Sequence, residues 1–123
     1  MRVSVLQENL AKGLGIVSRA VDTRNTLQVL SHVLLETQES RLRLAAVDMG
    51  LGMSITCWIG ARVDQPGAIT LPARTLADLV NNLAPERVDL TLDPATLTVN
   101  VRCGATVSNI RGIDASEFPL VPD

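Results

Sequence analysis

Aromatic side chains are almost missing from this chain, with one Phe, one Trp and no Tyr among 123 residues. Binders of unpaired nucleic-acid strands stack bases on aromatic rings, so that class has little support here. The core has to be aliphatic, built from Leu, Val, Ile and Ala. Histidine is limited to His32, in an alternating run that reads as a structural or surface position. Cysteine is limited to Cys57 and Cys103, each in a strand-like run and without CxxC spacing. One His and two distant Cys leave no ligand set for zinc. The cysteines read as buried, reduced thiols of a cytosolic protein. No stretch approaches the ~20 apolar residues of a membrane span. The opening MRVSVLQENLAKGL has no apolar signal region. The expectation is a cytoplasmic protein with no membrane partner. An excess of one charge is also missing. Eleven basic and 13 acidic residues give a net charge of -2, which excludes a globally basic binder but not a local basic face.

Catalytic signatures are equally sparse. No GxxxxGK[ST] phosphate loop occurs. The two GLG pairs, at Gly13 to Gly15 and Gly50 to Gly52, lack the third glycine of a dinucleotide fingerprint. Nothing resembles a nucleophile elbow around a serine, and the carboxylates are scattered. The expectation is a non-enzyme without a cofactor.

What is present is an ordered series of strands and two helices. Arg2 to Leu6 alternates as a strand. In Gln7 to Val21, Leu10, Leu14, Val17 and Val21 recur at helical steps on one face. Gly13 and Gly15 each weaken that helix by ~1 kcal/mol relative to Ala, which close packing there would explain. Thr26 to Gln38 and Arg41 to Met49 read as strands joined by a hairpin at Glu39-Ser40, with Leu51 to Gly60 as the next strand. A polar loop, ARVDQPG, precedes the short strand of GAITLP. Pro72 suits the first turn of a second helix lined by Leu76, Leu79, Val80 and Leu83 and ended by Pro85. RVDLTLD, TLTVNVR and GATVSNIRGI complete the chain as three strands. The order β-α-β-β-β-β-α-β-β-β predicts an α+β fold, with both helices packed on one face of a mainly antiparallel sheet. Residues 1–123 are expected to form one domain.

Two features invite a functional reading. Asp48 interrupts the apolar stretch AAVDMGLGMSI, as a lone catalytic or ligating acid would, or as a turn residue does. Lys12, Gly15 and Arg19 share a helix face with Glu8, opposite Leu10 and Leu14, while Arg24 follows in the loop and Arg74 opens the second helix. Such a stripe is usually a solvated surface. The sharper alternative is a modest basic face that follows a phosphate backbone without reading bases.

Several segments, in order, resemble a known family. TRNTLQVLSHVLLET is similar to an R-x-T-L-P-I-L-x-x-x-L-L segment, at Arg24, Thr26, Leu27, Val29, Leu30, Leu34 and Leu35. RLRLAAVDMGLGMSI resembles L-x-L-x-A-T-D-L-E-x-x-I, and GAITLPARTLADLVNNLAPE resembles G-x-x-x-x-P-A-[RK]-x-x-x-D-[IL]-x-x-x-L-P. The tail IDASEFPLVPD resembles A-x-D-F-P-x-x-P. Together they resemble the N-terminal domain of the bacterial DNA polymerase III beta subunit, the sliding clamp. Two departures stand out: Gln28 replaces the usual proline, and Gly50 stands where Glu is common.

The resemblance implies that Asp48 ends a strand and starts a turn, with no reaction depending on it. It also implies a non-catalytic role in DNA replication. Complete clamps are head-to-tail homodimers with three such domains per subunit. Their helices line a hole that holds duplex DNA, which makes the replicative polymerase processive. Carried over by position, Arg24 matches the DNA-facing loop arginine, and Lys12, Arg19 and Arg74 join it on the helices. The strand of Gly104 to Gly112 matches the edge that pairs with the other subunit, which draws Arg74, Thr75, Ala105, Val107 and Asn109 to that interface. Ala105 and Val107 stand where clamps often carry basic residues. Second and third domains, and with them the cleft for polymerase and other clients, are expected to lie outside this chain, as are contacts with the clamp loader. The competing class is an interaction domain of similar fold that assembles through its sheet edge without DNA.

Overall fold

The computed structural model describes residues 1–21 and 27–119. The first strand, β1 (Arg2–Leu6), turns Val3 and Val5 inward and runs directly into helix α1 (Gln7–Val17). No side chain caps the start of α1. The Gln7 amide donates instead to the Glu86 carbonyl at 2.9 Å. Leu10, Gly13, Leu14 and Val17 form its buried stripe. The helix ends four residues before the apolar period does. Ser18 donates its hydroxyl back to the Leu14 carbonyl at 2.5 Å, and Ser18–Ala20 tighten into a 3-10 turn.

A second 3-10 turn, Gln28–Ser31, occupies what alternation predicts to be the start of a strand. The strand itself, β2 (His32–Gln38), begins later and is followed by β3 (Arg41–Asp48) and β4 (Met53–Gly60). Glu39 and Ser40 make the predicted two-residue hairpin, Gln38 pairing with Arg41. Asp48 closes β3, and its Oδ1 accepts from the Leu51 amide at 3.1 Å, so it organises the turn into β4.

One strand departs from the local sequence pattern. The segment read as a polar loop forms β5 (Arg62–Gln65), which pairs with β1. It is followed by β6 (Ala68–Pro72), α2 (Ala73–Asn81), β7 (Arg87–Asp93), β8 (Thr98–Cys103) and β9 (Thr106–Arg111). Pro72 ends β6 and stands at the helix boundary, one residue before the first turn of α2 rather than inside it as expected.

The strands form two antiparallel sheets rather than one. Their orders are β5-β1-β7-β8-β9 and β4-β3-β2-β6. A bridge between Thr70 of β6 and Ile113, just past β9, ties the second sheet to the end of the first. Both helices pack against the inner faces. One aliphatic cluster joins Leu10, Leu14, Leu76 and Val80 to Leu35, Leu44, Leu90 and Val101 of the two sheets. Of the residues expected in the helix seam, Leu79 and Leu83 are only half-buried. Leu83 lies beyond the last helical turn.

Gly13 faces the second sheet so closely that a Cβ there would stand 2.6 Å from Leu44 Cδ1. Close packing therefore explains Gly13. Gly15 faces open space, with nothing within 4 Å of such a Cβ, so packing does not explain it. A smaller apolar cluster covers the other side of the second sheet, where Val29, Leu30 and Phe118 bury Leu34, Ala45 and Val47.

Candidate functional site

The helix layer presents the cations. Lys12 on α1, Arg19 on the 3-10 turn after it, and Arg74 and Thr75 in the first turn of α2 are all exposed. Arg24 lies outside the described residues. The Gln7 side-chain amide donates to the Val80 carbonyl at 2.8 Å, joining the start of α1 to the end of α2. The start of α1 therefore meets the end of α2, and Arg19 and Arg74 lie at the ends of their segments away from that contact. Lys12 is midway along α1. Exposed Glu8 and Asp78 lie on the sides of their helices toward that contact, so the two arginines stand away from the helix acids.

The second candidate surface is an edge. β9 is the last strand of its sheet. It is joined to β8 by a two-residue turn in which Gly104 takes φ +58°, the conformation demanded of the first central residue of a type II′ hairpin. In such a hairpin the closing pair, Cys103 and Thr106, exchanges hydrogen bonds, and bonded and non-bonded pairs alternate from there. At the far end the Gly112 amide donates to the Leu97 carbonyl at 2.8 Å, in the same phase. The backbone N–H and C=O groups of Val107, Asn109 and Arg111 therefore point away from β8. They form the free donor and acceptor row of the sheet. Val107 is 49% exposed, Ala105 lies exposed in the turn, and Asn109 accepts a hydrogen bond from the Asn100 side chain at 3.0 Å. The Thr70–Ile113 bridge brings the strand that feeds α2 alongside the segment leaving β9, and Arg74 and Thr75 follow that strand in the first turn of α2.

Other sequence candidates fall into structural places. His32 is buried, and its Nδ1 lies 3.0 Å from Thr70 Oγ1. Burial holds its pKa below the usual histidine value, with a hydrogen bond to Thr70 opposing the shift. Cys103 is buried as expected, whereas Cys57 is half-buried on the edge strand β4; both are free thiols. Among the described residues, no three His, Cys, Asp or Glu side chains gather as metal ligands, and no helix is long and apolar enough to cross a membrane.

Comparison with known proteins decides the family. Residues 1–122 match the model of the DNA polymerase III beta subunit, N-terminal domain. This chain belongs to that family. A beta sliding clamp from Synechocystis is 39% identical over 99% of this chain, which spans 32% of that relative. The solved DNA polymerase sliding clamp from Caulobacter crescentus superimposes with a TM-score of 0.91 at 32% identity, covering all of this chain and 33% of that one. The Bacillus subtilis sliding clamp shares the fold, with a TM-score of 0.92 at 24% identity. The chain thus spans about a third of the length of the clamps it matches.

Proposed function

We propose that this chain is the first domain of a DNA sliding clamp. In the complete, head-to-tail dimeric ring it would encircle duplex DNA in the cytoplasm and hold the replicative polymerase to its template. The observation that carries this reading is the match to the clamp N-terminal domain along residues 1–122. The geometry supplies parts such a ring needs. Lys12, Arg19 and Arg74 are exposed on the helix layer, and Arg24, carried over from the clamp pattern, is the fourth candidate cation. Each contact with phosphate would be weak, salt-sensitive and blind to sequence, which suits a protein that slides. The outward row of β9 would accept a strand from the neighbouring subunit, with Val107 and Asn109 at the joint and Arg74, Thr75 and Ala105 flanking it. With Ala105 and Val107 at the joint, apolar contact would outweigh ion pairing there. No step of catalysis falls to this domain. The clamp loader and polymerase would be met by the remainder of the full-length protein.

The DNA-facing assignment is tested by duplex binding of the full-length protein across a salt series. Replacing Lys12, Arg19, Arg24 or Arg74 singly by Ala should weaken binding and flatten the salt slope by roughly one counterion unit each. Four unchanged slopes would remove the DNA face.

A further inference from the structure

The outer face of the five-stranded sheet, opposite the helices, carries its own concentration of charge. Strand alternation places Arg2, Arg62, Arg87 and Arg102 there, with Asp64 and Asp89, around a shallow cavity of about 430 Å³. The two carboxylates are already engaged. Asp64 accepts from Arg62 Nε at 3.3 Å. Asp89 accepts from the Ser4 hydroxyl at 2.6 Å and pairs with Arg87 Nε at 3.2 Å. Arg2 and Arg102 have no ion-pair partner among the described residues. Four guanidiniums thus face two carboxylates on a chain whose net charge is -2, so this patch opposes the sign of the whole.

We propose that this face docks an acidic, extended segment of a partner protein. Guanidinium forks match carboxylates in bidentate geometry, and Arg2 and Arg102 are the two left to do so. They lie on β1 and β8, on either side of β7. On β7 Thr91 stands beside Arg2 and Asp89 opposite Arg102, while Asn100 lies on β8 with its Nδ2 donating to Asn109. The Thr91 hydroxyl and the Asn100 side-chain oxygen line the cavity with groups that can bond a peptide backbone. Single-stranded nucleic acid fits the face less well. The chain's one Trp is on β4 and its one Phe packs in the smaller cluster, both on the other sheet, so unpaired bases would find nothing to stack on. Arg2 and Arg102 lie on the sheet face turned away from the helices, so docking on them leaves Arg19 and Arg74 free. Because the arginines are exposed, the attraction is weak and falls with salt.

The test uses the full-length protein and a fluorescein-labelled eight-residue peptide of alternating glutamate and aspartate, read by anisotropy at low salt. Saturable binding that weakens with salt is expected. The double variant Arg2→Gln, Arg102→Gln should lose about tenfold in affinity, and Arg102→Gln alone about threefold, while Lys12→Gln with Arg74→Gln stays within about twofold of the parent. Three results would overturn the proposal: no saturable binding, full affinity in the double variant, or displacement of the peptide by an oligothymidine that binds the same arginines more tightly.

Discussion

His32 Nδ1 stands 3.0 Å from Thr70 Oγ1, and the Thr70 hydroxyl spends its only proton on the Ile113 carbonyl at 2.9 Å. Thr70 must therefore accept from His32, which fixes the neutral ring with its proton on Nδ1. The three residues join the start of β2, the middle of β6 and the segment leaving β9.

A pH dependence follows. The folded pKa of His32 is lowered below 6.5 by burial, so below that pH the unfolded chain binds a proton that the folded chain refuses. Stability should be full above the unfolded value and fall as pH drops from there toward the folded one. His32→Asn keeps a donor for Thr70 and cannot titrate. Urea midpoints at about pH 7.5 and about pH 5.5 should diverge more for the parent than for the variant. Equal losses in both would place the acid sensitivity elsewhere.

The phase of β9 separates two adjacent proline substitutions. Val107 points its N–H outward, so Val107→Pro should leave the domain folded and open the ring. Ser108 points its N–H at β8, so Ser108→Pro should break the ladder and cost ~3 kcal/mol or more. Sedimentation of the full-length protein reports the first effect, and thermal melting followed by circular dichroism separates it from the second. A folded Val107→Pro protein that dimerises as tightly as the parent would show that subunits meet through another surface.

Two glycines should respond to alanine with opposite signs. Gly15 faces open space in a helix, so Gly15→Ala should stabilise the domain by up to ~1 kcal/mol. At Gly112 an added Cβ would collide with the Thr70 carbonyl oxygen and crowd Ile69 and Leu71. Gly112→Ala should therefore cost at least ~2 kcal/mol by forcing apart the bridge between the sheets. Urea unfolding of both variants measures the pair. A neutral Gly112→Ala would mean that the crossing is looser than its geometry.

Much of this arrangement was legible in the sequence because it is written locally. Leu10, Leu14 and Val17 announce α1 by their spacing, and Asp48 reads as a turn residue because its carboxylate can bond the backbone three residues ahead. The parts that escaped depend on distant partners. β5 has one apolar residue, half-buried Val63, because an edge strand buries little, and only its pairing with β1 makes it a strand. The division into two sheets rests on β1 meeting β7, Val5 against Val88, which no local pattern records. Gln28–Ser31 reads as strand because Val29 and Leu30 are β-formers, yet both bury against Phe118, far along the chain. The exposed cations were legible as a helix stripe. The contact of the start of α1 with the end of α2, which sets where Lys12, Arg19 and Arg74 stand, was not, since it rests on Gln7 reaching Val80.

In the proposed function the complete protein would hold duplex DNA by surrounding it. The direct measurement loads the full-length protein onto a nicked circular duplex with its clamp loader, and passes the complex through a sizing column at high salt before and after one restriction cut. Protein should elute with the circle and be lost from the linear form. Equal retention on both, or loss from both, would contradict it.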